Sequence, residues 1–221
     1  MLSSNLIRWS GLANILSGVS LALFWFSFPL LLPLQDLRSN YVNLVLDSDW
    51  VTVNALDIIG ITLGLLGLIG LYAKQVEKAG ILGFVGFLLT FIGLALLEGI
   101  AFYETFIWPV LAVQAPTLLS FQGPLYTNTT FLLGSGLGLM TNGVGIILFG
   151  AAMLRAGILP RWGVLLLTVG APLYGFGALF GELAIVLRSI GVALYAVGLA
   201  WLGYTLWASK SNMTGQPKSV M

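Results

Sequence analysis

The residues in this sequence that could do chemistry are carboxylates set in hydrocarbon. Asp57 and Glu98 stand inside long apolar stretches, Arg188 lies just inside another, and Glu104 and Glu182 sit at the ends of two more. A charge at membrane depth is costly, so each of these side chains must face water, a partner or the interior of a bundle. The least costly arrangement is an Arg–carboxylate pair, which makes a structural ion pair with a snorkelling Arg188 one reading. A solvated cavity that binds a cation or exchanges a proton is the other. Asp57, Glu98, Glu104 and Glu182 against Arg188 leave three negative charges in excess if all ionise, and such a layer attracts cations.

Other chemistries have little to work with. The sequence holds no cysteine and no histidine, which removes disulfides, thiolate metal sites, imidazole ligands and histidine acid–base catalysis. No cofactor is implied, and the remaining enzymatic option, two carboxylates acting alone inside a membrane, gives way to a non-enzymatic reading. A net charge of +1 with scattered basic residues offers nucleic acid no footprint.

The elements that must position these groups follow from composition. With 58% hydrophobic and 8% charged residues and a mean hydropathy of +1.01, the chain lies far from the soluble range, where about a quarter of residues are charged. About 20 apolar residues cross a hydrocarbon core, and six stretches of that kind fall near 9–32, 52–73, 79–101, 131–154, 162–181 and 186–207. The first is too long for a signal-peptide core and is kept as a span. Arg8, Lys74, Lys78, Arg155, Arg161, Lys210 and Lys218 then share one side, which the positive-inside rule makes cytoplasmic. The opposite side holds Arg38 and Arg188 with Asp36, Asp47 and Asp49. The expected fold is therefore all-α: a polytopic transmembrane bundle of six helices with both termini cytoplasmic. It forms one domain over 1–208, followed by a disordered cytoplasmic tail at 209–221.

Depth along the spans brings the charges together. Asp57 falls about 9 Å below the outer boundary by the helix rise, Glu98 a turn below it, and Arg188 a turn into the last span. The segment 105–130 carries no charge yet contains Pro109, Pro116 and Pro124, so it cannot be one spanning helix. It is too apolar for a free loop, and Trp108, Phe121 and Tyr126 suit the interface. We expect it to cap the bundle over the acidic layer, with a short amphipathic helix from the 34–51 loop beside it. Deeper in, Asn142 and the backbone carbonyl freed by Pro172 could meet a ligand, or Asn142 could serve an interhelical hydrogen bond.

Glycine and other small residues recur along the spans. Gly60, Gly64, Gly67 and Gly70 mark the second span, Gly134, Gly138, Gly143, Gly145 and Gly150 the fourth, and Ala13, Ser17 and Gly18 the first. Small residues let helix backbones approach closely, so a tight bundle or a partner-docking face follows. Two hairpins also look alike: GLALLE ends the first and GALFGE the second, Gly93 and Gly177 each standing five residues before a glutamate, as a parallel repeat would place them.

The stretch LFGAAMLRAGILPRWGVLLLTVGAPL, Leu148 to Leu173, resembles the span, basic turn and span of an uncharacterised family of small multi-spanning bacterial inner-membrane proteins. That resemblance implies an inner-membrane location and no particular activity. Six spans with both ends inside also resembles the substrate-binding membrane components of vitamin importers, whose small-residue first helix docks an energising subunit; Ala13 and Ser17 are the matching positions. The expected function is binding or transport of a small cationic or amphiphilic solute, or a proton, through an outer acidic cavity. Its residues would be Asp57, Glu98, Glu104, Asn142, Glu182, Arg188 and Trp108. The alternative is a structural or accessory subunit. Expected partners are the lipid bilayer, a small-molecule or lipid ligand, and a second copy or membrane subunit.

Overall fold

A computed structural model describes residues 2–33, 41–120 and 123–209, with side chains described except at 2–4 and 182. Asp36, Arg38, Phe121, Lys210, Lys218 and the tail from 210 onward lie outside the described residues. The described chain is helical without strands. In order it runs α1 (Leu2–Leu31), α2 (Tyr41–Val45), α3 (Trp50–Phe102), a π-helical turn at Tyr103–Ile107, α4 (Trp108–Gln114), a short turn at Pro116–Leu118, α5 (Pro124–Thr127), α6 (Thr129–Ala156), α7 (Arg161–Phe176), a 3-10 segment at Gly177–Leu183, and α8 (Ala184–Ala208). Five helical segments are long and apolar enough to cross a membrane.

The 53 residues of α3 are not one rod. Gly80 adopts φ 58°, ψ −165°, and the chain folds back on itself there. Thr62 Oγ1 consequently donates a 2.6 Å hydrogen bond to Glu98 Oε1 across 36 residues of sequence, and Tyr72 stacks on Phe87 at 4.5 Å between ring centres. A straight helix would separate Thr62 from Glu98 by about 54 Å at 1.5 Å per residue. The first arm of α3, 50–79, and the returning arm, 81–102, are therefore antiparallel neighbours.

Glycine contacts set the remaining order of the bundle. Gly70, Gly67, Gly64 and Gly60 of the first arm meet Ser10, Asn14, Ser17 and Leu21 of α1 in turn. Gly86 and Gly93 of the returning arm press on the backbone of α6 at Phe149 and Asn142, and Gly145 of α6 presses back at Leu89 and Thr90. Gly150 of α6 meets Thr168 of α7, Gly170 and Gly191 join α7 to α8, and Gly11 and Gly203 join α1 to α8. The helices close into a ring: α1, first arm, returning arm, α6, α7, α8 and back to α1. Every neighbour is antiparallel, so Arg8, Lys74, Lys78, Arg155 and Arg161 share one end of the bundle. Asp47, Asp49, Asp57, Glu98, Glu104 and Arg188 gather toward the other.

Polar side chains reinforce the closest seam. Asn14 Nδ2, Ser17 Oγ and Ser20 Oγ of α1 donate to the carbonyls of Gly67, Gly60 and Leu56 at 3.0, 2.7 and 2.7 Å. Glycine exposes its carbonyl to a neighbouring helix, and interhelical bonds of this kind contribute about 0.6–2 kcal/mol each in a membrane. Ala13, Ser17 and Gly18, the residues that could have formed a docking face, are buried inside the bundle instead.

A second core covers the acidic end. Phe24, Leu44, Val45, Trp50, Trp108, Ala112 and Leu119 pack together, with Phe28, Tyr41, Tyr103 and Tyr126 around them. Trp50 and Trp108 stack at 6.2 Å, Tyr41 meets both edge-on, and Trp50 Nε1 donates to the Glu104 carbonyl at 3.1 Å. The described part of 105–130 thus folds over this end as short helical turns, beside the short helix α2.

The two hairpins differ in how they turn. Gly80 alone reverses α3, whereas α6 ends on Gly157 in the left-handed region at φ 64°, ψ 21°, before Pro160 starts α7. Gly93 packs against α6 while Gly177 faces Arg188. The matched GLALLE and GALFGE segments therefore occupy unlike surroundings.

Candidate functional site

A cavity of about 460 Å³ lies between the helices toward the acidic end. Asp57 from the first arm, Glu104 from the π-helical turn, Asn142 from α6 and Arg188 from α8 all line it. The rest of the wall is mainly apolar or aromatic, including Leu94, Leu97, Phe131, Leu139, Pro172, Tyr174 and Phe176. That composition, apolar walls with a few convergent polar groups, is typical of small-molecule sites of roughly 300–1,000 Å³.

Each polar group arrives for a local reason. The π-helical turn adds a residue to the helical repeat after Phe102, and Glu104 is carried on it to the cavity. Ser17 and Gly60, joined by their hydrogen bond, form the floor on which Asp57 stands one turn outward. Asn142 sits where Gly93 lets the returning arm approach the α6 backbone, and among the described residues its side chain has no hydrogen-bond partner. It faces the cavity rather than bridging helices. Pro172 also lines the cavity, next to Ala171.

Arg188 is held by aromatic rings. Its guanidinium carbon lies 4.5 Å from the ring centre of Trp25 and 5.0 Å from that of Tyr174. Trp25 is fixed in turn by donating from Nε1 to Ser189 Oγ at 2.9 Å. Arg188 Nε is buried without a hydrogen-bond partner. Among the described residues no carboxylate is in ion-pair contact with Arg188. Asp57 and Glu104 line the same cavity as Arg188.

Not every expected residue reaches this site. Glu98 points toward Thr62 and does not line the cavity, and its second oxygen, Oε2, is buried without a partner. Trp108 is 2% exposed and belongs to the covering core, where it supports the site from above. Glu182 lies in the 3-10 segment Gly177–Leu183, and its side chain is outside the described residues. Over the cavity, Tyr41 and Tyr126 are hydrogen-bonded to each other, and burial raises both hydroxyls above the ordinary phenol range. They stay neutral beside Glu104.

Trp25, Tyr174, Tyr126 and Phe131 were not anticipated as site residues. An aromatic in an apolar span gives no sign of which face it uses, although a cation in the same bundle needs such a neighbour. Comparison with known protein families, characterised proteins and solved structures finds no match for this chain.

Proposed function

We propose that this protein is a six-span membrane protein, both termini cytoplasmic, that binds or transports a small cationic or amphiphilic solute through its outer acidic cavity, without catalysis. The observation that carries the reading is the cavity itself, lined by Asp57, Glu104 and Asn142, whose side chains have no hydrogen-bonding partner among the described residues. The fold at Gly80 supports the sixth crossing, because it divides α3 into two apolar arms. The shared end of Arg8, Lys74, Lys78, Arg155 and Arg161 supports the cytoplasmic placement of the termini. Segment 105–130 acts as the cap. A bacterial inner membrane is the setting that the resemblance of Leu148 to Leu173 implies.

The binding test uses purified protein in detergent, mass spectrometry for a co-purifying solute, and ligand-induced thermal shift. Asp57→Asn and Glu104→Gln are each expected to weaken binding by about tenfold or more, the loss of one charged hydrogen bond. Glu98→Gln, off the cavity, should leave binding unchanged and cost about 1 kcal/mol of stability through its bond to Thr62. If the Asp57 and Glu104 variants alter only stability, and Arg188→Leu restores it, the charges are structural and the reading fails.

Placement of the cap is checked by labelling, since the chain has no cysteine of its own. A cysteine at Ala112 or Leu119, 3% and 0% exposed, should resist an impermeant reagent added from outside, while one at Asn128 should react. Uniform reaction at all three positions would reject the packed cap.

A further inference from the structure

The cavity carries charges of both signs that do not neutralise each other by contact. The rings of Trp25 and Tyr174 lie against the Arg188 guanidinium. Aromatic contact of this kind orients the group and leaves its N–H edge as the donor surface, the geometry that anionic oxygens accept. Arg188 Nε is buried and unpaired. Asp57 and Glu104 come from different elements and line the same cavity, and their carboxylates have no hydrogen-bond donor among the described residues. A simple cation would satisfy the carboxylates and leave Arg188 uncompensated, whereas a simple anion would satisfy Arg188 and meet two carboxylates. A ligand with one group of each sign satisfies both.

The wall of the cavity is more loosely packed toward the outer end of α6, above the contacts of Gly143 with Phe176 and of Gly175 with Leu139. The inner half of α6 buries one face, with Gly143, Gly145, Ile146, Phe149, Gly150, Ala152 and Met153 inside the bundle and Val144 and Ile147 outside, but of its outer residues from Thr129 to Met140 only Gly138 is buried. A methyl group added at Gly134 or Gly136 would meet nothing within 4 Å. Leu132 lines the cavity and is nevertheless 52% exposed, so it belongs to the inner wall and to the outward surface at once. Pro172, Gly175 and Phe176 of α7 form the facing wall. A seam walled by such residues suits a hydrocarbon chain better than a solvated group.

We propose, building on the solute-binding reading above, that the ligand is a zwitterionic amphiphile whose ammonium group meets Asp57 and Glu104, whose anionic group meets Arg188, and whose hydrocarbon chain leaves between α6 and α7 toward the membrane. The same head group occurs free in water and on a lipid, and the apolar wall of α6 and α7 selects the form that carries a chain.

Short hexyl probes that remain monomeric test this with the full chain in maltoside micelles, followed by tryptophan fluorescence and thermal shift. Hexylphosphocholine is expected to bind at least about tenfold more tightly than hexyltrimethylammonium, hexyl sulfate or chainless phosphocholine. Arg188→Gln should bring hexylphosphocholine down to the affinity of hexyltrimethylammonium without weakening the latter. Leu132→Trp, at a position 52% exposed, should weaken the hexyl probes and spare phosphocholine. Equal binding of hexyltrimethylammonium and hexylphosphocholine would overturn the zwitterion and leave the cation reading standing. Equal binding of phosphocholine and hexylphosphocholine would overturn the lateral chain. Binding of none of the four would overturn both this proposal and the solute-binding reading beneath it.

Discussion

Gly145→Ala is expected to lower the stability of this protein by about 1–3 kcal/mol, the usual cost of overpacking, while Gly136→Ala, nine residues earlier on the same helix, raises it. The added methyl is the same; its surroundings are not. At Gly145 it would fall against the returning arm of α3, on Thr90 N, 2.7 Å from the carbonyl carbon of Leu89 and 2.8 Å from Thr90 Oγ1. Two of those atoms are backbone, so no rotamer change relieves the contact and the helices must separate. Between helices in lipid, close packing is a main source of association, because the hydrophobic effect that drives soluble cores is absent. Separation there also loosens the neighbouring contacts at Gly86 and Gly93. At Gly136 nothing lies within 4 Å, so alanine contributes only its better helix propensity, about 0.5–1 kcal/mol. Thermal unfolding in detergent measures both. Equal effects at the two positions would refute the packing account.

Gly80→Ala should be destabilising by about 1–3 kcal/mol although its site is empty, because the backbone region at positive φ with ψ near 180° is essentially closed to other residues. A methyl group there meets nothing within 4 Å, so the penalty is one of conformation and not of space. Gly157 makes the comparison informative. At φ 64°, ψ 21° it occupies the left-handed helical region, which asparagine tolerates. Gly157→Asn is therefore expected to be close to neutral, whereas Gly80→Asn should remain as damaging as Gly80→Ala. Stability of the three variants against thermal unfolding decides the matter, and tolerance of asparagine at both positions would mean that the turn at Gly80 is relaxed in the protein.

The placement of charge and the small residues were legible in advance to different degrees. Asp57, Glu98 and Arg188 could be set at similar depths from helix rise alone, with Glu104 just above them and Asn142 deeper, because an apolar stretch has a start and a fixed advance per residue. Rotation about the helix axis had no such marker. Glu98 fits the same depth but turns toward Thr62, since the returning arm must present Gly86 and Gly93 to α6. Trp108 was expected in the site and instead packs above it, stacked on Trp50. Ser17 and Gly18 were open to use by a partner until packing placed them against α3 and α8.

Composition alone specified an all-helical chain with spans long enough for a membrane, because hydrocarbon tolerates no unpaired backbone and few charges. It also set the alternation of basic and acidic ends, which depends only on the order of charges along the chain. The facing of each helix emerged only when all were packed together. A span that is apolar on every side carries no periodic signal, so its buried face is decided by which glycines find a neighbouring backbone. That choice brought Arg188 between Trp25 and Tyr174, turned Glu98 away, and left Asp57 and Glu104 facing the same open space.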